Sequence, residues 1–143
     1  MANRIRVLLV EDHVVAAEGL RLALSALGFY VQVIHSGRET IGQLLHFHAD
    51  ALVIDLSLPD IDGAVVAELV RQTFPDLPIV ITTGHNRPVR IASLLQNGKT
   101  VFLQKPYEIA DLVHAIETRV GRPAATTDTP ARHDRSHDRG GTT

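Results

Sequence analysis

Short apolar runs alternate with stretches of helical periodicity along most of the chain. Three of the runs are nearly continuous in Val, Ile and Leu, which is typical of strands buried on both faces of a parallel sheet. Such runs are too short for the helices of a folded domain, so the alternation predicts five strands, each followed by a helix. The predicted strands are residues 5–10, 30–35, 51–55, 78–82 and 100–104.

The predicted helices follow the strands. In the first, apolar residues recur at helical spacing from Val14 to Leu27, and Gly28 provides a C-terminal stop. Five strand–helix units with right-handed crossovers build a doubly wound, five-stranded parallel sheet with helices on both faces. We therefore predict an α/β fold. The other predicted helices are residues 38–47, 61–74, 88–97 and 107–120.

The composition changes near residue 121. Residues 121–143 contain three alanines and no larger apolar residue, so this segment cannot bury enough surface to offset the entropy of ordering its backbone. We expect a domain over residues 3–120, followed by a flexible tail or linker over residues 121–143.

Composition and charge exclude several classes of protein. Of the 143 residues, 45% are apolar and 21% are charged, which is the balance of a soluble globular protein. The net charge of −2 gives no reason to expect a nucleic acid partner. There is no cysteine, so disulfides and thiolate sites are excluded. The apolar run near the N-terminus is too short for a membrane span or a signal sequence. We expect a cytoplasmic protein without membrane contact.

Charged residues follow the predicted strands where a doubly wound sheet places its sites, beyond the carboxyl ends of the central strands. Glu11 and Asp12 follow the first strand, Asp55 ends the third, and Lys105 follows the fifth. No Gly-rich phosphate loop follows the first strand, which argues against a dinucleotide or P-loop site. The sequence thus predicts three carboxylates and one ammonium group at one edge of the sheet.

Three adjacent carboxylates repel one another unless a cation joins them or one is protonated. An all-oxygen site suits Mg²⁺, with Mn²⁺ as a substitute. Asp55 could then act as a nucleophile toward a phosphoryl group. Lys105 would supply positive charge, while the Thr83 hydroxyl and the Gly84 amide would donate hydrogen bonds to the phosphoryl oxygens.

At these residues the chain resembles the receiver domains of two-component signalling, the CheY-like family. The resemblance covers residues 5–120 and implies the flavodoxin-like sheet order 2-1-3-4-5. The stretches that carry it each span a predicted strand end and occur in the family's order. They are VLLVEDH (7–13), LVIDLSLPDIDG (52–63), PIVITTGH (78–85) and FLQKPY (102–107).

The resemblance implies a role for each site residue. Asp55 would be the phosphoacceptor, assisted by Thr83 and Lys105. The metal ligands would be Glu11, Asp12, Asp55 and the backbone carbonyl of Ser57.

Further residues would adjust the response. Thr83 and Phe102 would form the conformational switch, although Phe102 lacks the hydroxyl of the tyrosine that many relatives carry. The resemblance also implies a cis peptide between Lys105 and Pro106, which would aim the lysine into the site. Ser57 and His85 would tune the rate at which water attacks the phosphoryl group.

Structural interpretations remain open at several of these positions. Asp12 could cap the first helix, since Asp is a favoured N-cap, but no capping box supports this. Asp60 and Asp62 are expected to begin a turn and cap the third helix. Phe102 could be an ordinary core residue.

We therefore expect a stand-alone receiver that accepts a phosphoryl group from a histidine kinase or a histidine phosphotransfer protein. It would signal to a downstream protein through the face formed by the fourth helix, the fifth strand and the fifth helix. It would assist its own phosphorylation and dephosphorylation without being an enzyme, and it would be a monomer or a weak homodimer.

Three alternatives remain. The chain could be a receiver excised from a larger regulator or hybrid kinase. It could be an aspartyl phosphohydrolase, although LSLPD after Asp55 lacks the second acid two residues on that such enzymes use. It could also be an interaction module that is never phosphorylated.

Overall fold

A computed structural model describes residues 4–84, 94 and 98–124. Its five strands pair in parallel in the order β2-β1-β3-β4-β5. This confirms the predicted fold class and sheet order. The third and fifth strands have the predicted bounds, the first and second differ by one residue at one end, and the fourth is shifted by one residue at both ends. The strands are β1 (Arg6–Val10), β2 (Tyr30–Ile34), β3 (Ala51–Asp55), β4 (Ile79–Thr83) and β5 (Thr100–Gln104).

Four helices flank the sheet within the described residues. A 3₁₀ turn over Gly37–Glu39 precedes the second of them, where the sequence predicted one continuous helix. The predicted helix at 88–97 lies outside the described residues except for Leu94, so the last helix below corresponds to the fifth predicted one. The helices are α1 (Val14–Ala26), α2 (Thr40–Phe47), α3 (Gly63–Thr73) and α4 (Ile109–Val120).

Side-chain caps determine where three of these helices begin. His13, not Asp12, is the N-cap of α1, and its Nδ1 accepts a hydrogen bond from the Ala16 amide at 3.2 Å. The capping interpretation of Asp12 is therefore wrong. Asp62 caps α3 as predicted, accepting from the Ala64 amide at 2.9 Å. A capping box of Glu108 and Asp111 starts α4 two residues later than its apolar pattern predicts.

The core lies in two layers, one on each face of the sheet. Alternate strand residues such as Leu8, Ile54 and Ile81 pack against α2 and α3. Their neighbours, including Val53, pack against α1 and α4 on the other face. Every residue of β3 and β4 is buried, which explains why these strands are continuously apolar up to the residues that carry chemistry.

The packed part of the chain extends four residues past the expected boundary at 120. Gly121 adopts a left-handed conformation at φ 90° and ends α4. Ala124 then joins the core layer of α1 and α4, and its amide donates to Glu117 Oε2 at 2.8 Å. Ala124 thus packs on the domain, whereas residues 121–123 are exposed. Residues 125–143 lie outside the described part, and the tail there stays a prediction.

No helix in the described ranges 4–84 and 98–124 has the length and apolar character needed to cross a membrane.

Candidate functional site

The strand register brings the predicted site residues to one edge of the sheet. Val10 lies beside Ile54, so Glu11 and Asp55 follow neighbouring residues on adjacent strands. Asp55 in turn pairs with Thr82. Since the strands are parallel, their carboxyl ends coincide, and the side chains that follow them lie close together.

The three predicted acids form one cluster. One carboxylate oxygen from each of Glu11, Asp12 and Asp55 lies within 4.8 Å of the others. Glu11 and Asp55 are each only 4% exposed, whereas Asp12 is exposed to solvent. Two buried carboxylates and one open one provide several oxygen ligands with access from one side. This donor set fits a hard divalent cation that keeps part of its water shell.

Negative charge is crowded at Glu11. Burial raises the pKa of the Glu11 carboxyl, and the nearby charge of Asp55 raises it further. The hydrogen bond from the His13 amide to Oε2, at 3.2 Å, opposes this rise, as does the charge of Lys105. The cluster therefore carries unfavourable charge that a bound cation would relieve.

Lys105 is the cation that the structure itself places at the cluster. Its Nζ lies 2.7 Å from Asp55 Oδ2 and 3.5 Å from Glu11 Oε1. Burial disfavours the charged ammonium, but the hydrogen bond to Asp55 and the charges of both carboxylates outweigh it and raise the pKa of Lys105. The peptide bond between Lys105 and Pro106 is cis, as expected.

Short backbone contacts hold Asp55 in place. Its Oδ1 accepts from the Ser57 amide at 2.8 Å, and Ser57 itself is exposed beside it. The amide of Gly63 donates to the Leu56 carbonyl at 3.1 Å. A Cβ on Gly63 would lie 2.6 Å from both the Asp55 carbonyl oxygen and the Leu56 Cα. Glycine is therefore needed here because α3 begins directly against the end of β3.

The predicted switch residues lie on β4 and β5. Thr83 is buried at the end of β4, one residue beyond the register partner of Asp55, and its carbonyl accepts from the Lys105 amide at 2.7 Å. Gly84 follows it and is exposed. Phe102 is half-buried and packs against the core layer of α2 and α3. That contact accounts for a core role, and its role as a switch stays a prediction. His85 lies outside the described residues.

Two contacts at this edge were missed by the sequence interpretation. Asp60 does not cap α3; its carboxylate instead accepts from Ser36 Oγ at 2.8 Å and from two further amides of the same loop, between β2 and α2. These bonds, that of Ser36 foremost, hold the pKa of Asp60 at about 2. His35 Nδ1 lies 2.8 Å from the Glu11 carbonyl oxygen. Both contacts join residues that lie 24 positions apart, so no local sequence pattern predicts them.

A surface cavity of about 380 Å³ adjoins the cluster. It lies between α1 and the residues that follow β5, so a group bound there would reach the carboxylates from the side of α1. Its walls are Glu11, Ala16, Leu20, Lys105, Pro106 and Tyr107.

The family model described as "Response regulator receiver domain" matches residues 7–117. The chain belongs to the response regulator receiver family. This receiver is 31% identical to the response regulator MprA of Mycobacterium ulcerans (strain Agy99), over 89% of this chain and 55% of MprA. It is 32% identical to the transcriptional regulatory protein QseB of Haemophilus influenzae (strain ATCC 51907 / DSM 11121 / KW20 / Rd), over 82% of this chain and 53% of QseB.

Solved structures show the same fold. A response regulator receiver protein from Sinorhizobium medicae WSM419 is 27% identical with a TM-score of 0.68, covering 83% of this chain and 96% of that one. A CheY-like receiver domain protein from Methanospirillum hungatei JF-1 has a TM-score of 0.75 at 19% identity, covering 83% and 95%. The receiver spans about half the length of the curated relatives that it matches.

Proposed function

We propose that this receiver accepts a phosphoryl group on Asp55 in a reaction that requires Mg²⁺. The observation that carries the proposal is the cluster itself. Three carboxylates lie within 4.8 Å of one another, and the ammonium of Lys105 is bonded to one of them. A solvated strand end would not need two buried acids and a lysine at the same point, because buried charges are costly unless they are paired.

Glu11, Asp12, Asp55 and the backbone carbonyl of Ser57 would hold the ion, and Mn²⁺ would substitute for Mg²⁺. When bound, the ion supplies positive charge that draws a phosphoryl group toward the acids and offsets the charge that develops during transfer.

The residues of the chain provide the nucleophile and its orientation. The Ser57 amide holds one oxygen of Asp55 and Lys105 holds the other. An Asp55 oxygen attacks phosphorus and forms an acyl phosphate, while the bond from phosphorus to the donor atom breaks and its electron pair leaves with the donor. Lys105 then offsets the charge of the phosphoryl oxygens, and the Thr83 hydroxyl and the Gly84 amide donate hydrogen bonds to them. Such donors each lower the barrier by a few kcal/mol, on the order of 10²-fold in rate.

The surface beside the site favours a protein as the donor. Val14 and Val15 open α1 next to the acids and are 61% and 76% exposed. Exposed apolar residues at the rim of a polar site are typical of a surface that another protein covers. We therefore propose a histidine kinase or a histidine phosphotransfer protein as the source of the phosphoryl group.

The proposed output is a change of conformation. Thr83 ends β4 one residue beyond the register partner of Asp55, and Phe102 lies on the adjacent strand β5. A movement of Thr83 toward the new charge would therefore be passed on to the surface of β5 and α4. A two-state element of this kind would alter the affinity for a downstream protein. We propose a phosphoacceptor that assists its own phosphorylation and dephosphorylation rather than an enzyme with turnover. Its monomeric or weakly dimeric state and its cytoplasmic location stay predictions.

Whether the receiver acts alone is a separate question, because its relatives are about twice its length. Reading the gene past Thr143 decides it: an immediate stop supports a stand-alone protein, and a continuing frame supports a receiver excised from a larger regulator.

The proposal is tested with acetyl phosphate as donor and mass spectrometry as readout. The wild type should gain one acid-labile phosphoryl group in Mg²⁺, and Asp55→Asn should gain none. Asp62→Asn is the matched control, since it removes the same charge at the same edge and Asn caps a helix as well as Asp does. The proposal fails if Asp55→Asn is labelled as the wild type is.

A further inference from the structure

The loop between β2 and α2, residues 35–38, contacts both loops that carry the acids. Strand β1 lies between β2 and β3 in the sheet, so the segment after Asp55 must cross the end of β1 to reach this loop. It does so at Asp60, while residues at the other end of the loop contact the segment after β1.

The contact with the segment after Asp55 includes three hydrogen bonds to the Asp60 carboxylate and a fourth from Arg38 Nη2 to the Asp60 carbonyl at 3.3 Å. Asp60 Oδ2 accepts from Ser36 Oγ at 2.8 Å and from the Arg38 amide at 2.9 Å, and Oδ1 accepts from the Gly37 amide at 3.0 Å. Bonds to a charged carboxylate are stronger than neutral ones. Three of them at one side chain fix the position of residues 56–62, which include Ser57.

The contact with the segment after β1 is made by His35. Its Nδ1 lies 2.8 Å from the Glu11 carbonyl oxygen, and since a carbonyl only accepts, Nδ1 is the donor. The Glu11 amide in turn donates to the Ile34 carbonyl at 3.0 Å. The backbone of Glu11 is therefore bonded on both sides to the end of β2 and the residue that follows it.

Apolar side chains of the segment after Asp55 pack tightly against the loop at Gly37. Gly37 is buried, and a Cβ at this residue would lie 2.5 Å from Ile61 Cγ2 and 2.9 Å from Leu58 Cδ1. The side chains of Ile61 and Leu58, both in the segment that follows Asp55, thus pack directly against the backbone of residue 37. A side chain at this position would force the Ile61 and Leu58 side chains to shift.

We infer that residues 35–38 form a clamp that sets the spacing between the two halves of the proposed metal site. One half is Glu11 with Asp12, and the other is Asp55 with the Ser57 carbonyl. Asp60 and Ser36 are positioning residues in this inference, which rests on the proposed function. Mg²⁺ requires near-ideal octahedral ligands at about 2.0–2.1 Å, so small shifts between the two halves reduce its affinity.

The test measures Mn²⁺ affinity from the electron paramagnetic resonance signal of the free ion, with the full chain and no phosphodonor. Asp60→Asn should weaken binding about tenfold, because an amide cannot accept all three hydrogen bonds and outer partners of metal ligands typically contribute 10–100-fold. Asp62→Asn, which removes the same charge two residues away, should change affinity less than about twofold, since its cap does not reach the clamp.

A second pair of variants tests the clamp without changing the net charge. Ser36→Ala deletes one donor to Asp60 and should weaken Mn²⁺ binding about threefold, whereas Ser36→Thr keeps the hydroxyl and should restore it. Urea unfolding without metal identifies conditions in which every variant is folded, so that lost affinity does not report lost structure.

The outcomes separate the two proposals. If the wild type binds no Mn²⁺, the proposed function itself fails. Suppose instead that the wild type binds Mn²⁺. If Asp60→Asn and Asp62→Asn then weaken binding equally, or if neither variant weakens it, only the clamp is overturned. Equal affinities of Ser36→Ala and Ser36→Thr would overturn it as well.

Discussion

Replacing Lys105 by Met removes the cation that two buried carboxylates share. At an effective dielectric constant of about 20, unit charges at the observed 2.7 and 3.5 Å attract by about 6 and 5 kcal/mol before desolvation is subtracted. Breaking a fully buried pair costs about 3–5 kcal/mol. The lysine side chain is 37% exposed, so screening reduces the expected loss in the free energy of unfolding to about 1–3 kcal/mol.

The assay is urea unfolding of the wild type and of Lys105→Met, each with and without Mg²⁺. A ligand at 100 times its dissociation constant stabilises a protein by about 2.7 kcal/mol. Without Lys105 the cluster is more negative and should bind the ion more tightly, so Mg²⁺ should stabilise the variant more than the wild type. The stability gap between them should therefore shrink as Mg²⁺ is added.

The control is Arg122→Met, which breaks the more exposed ion pair with Asp50 at 3.4 Å. This variant should lose about 1 kcal/mol or less in the free energy of unfolding, and the loss should not depend on Mg²⁺. A gap between the wild type and Lys105→Met that stays constant through the Mg²⁺ titration would refute the reasoning, because the ion and the lysine would then not share the same carboxylates.

Three further predictions concern the scaffold. Gly63→Ala should lower the free energy of unfolding in urea by about 1–3 kcal/mol and slow labelling by acetyl phosphate, because its Cβ would meet the backbone of Asp55. A variant with the stability and labelling rate of the wild type would contradict this. The pKa of Asp60 is about 2 against an ordinary 3.8, so the stability advantage of the wild type over Asp60→Asn should be constant above about pH 5 and shrink as the pH falls from about 4 through 2. An advantage that is undiminished at pH 2 would argue against the bonds to Asp60. A chain that ends after residue 120 should be about 1 kcal/mol less stable than one that ends after residue 124, because the shorter chain lacks the buried Ala124. Equal urea midpoints would show that residues 121–124 contribute no stability.

The fold could be predicted because its signals are local. Buried parallel strands are continuously apolar, and β3 and β5 begin and end where their runs do. Helix ends were predicted less well because caps decide them. The apolar pattern suggested that α3 starts at Ile61, but Asp62 caps the helix, and Ile61 packs into the core ahead of it. Val14 begins the apolar helical spacing of α1, yet it is 61% exposed, since spacing does not show where the underlying core ends.

The charged residues of the candidate site could be predicted from the sequence, but the hydrogen bonds that hold their loops in place could not. Glu11, Asp55 and Lys105 follow strands, and parallel topology alone brings strand ends together. The bonds from Asp60 to Ser36 and from His35 to Glu11 depend on how two loops pack against each other. Spacing along the chain carries no information about such contacts. Ala124 was missed for a related reason, because a small residue contributes little to an apolar pattern even where it is buried.

The central claim is that the acidic cluster becomes reactive through a divalent cation, and the Mg²⁺ dependence of phosphorylation tests it most directly. The measurement is the rate at which acetyl phosphate labels Asp55 as Mg²⁺ is raised from zero, with peptide mapping to locate the label. We predict no labelling without the ion, saturation as it is added, and a higher Mg²⁺ requirement in Asp12→Asn. Labelling of Asp55 at the same rate with and without Mg²⁺ would contradict the account.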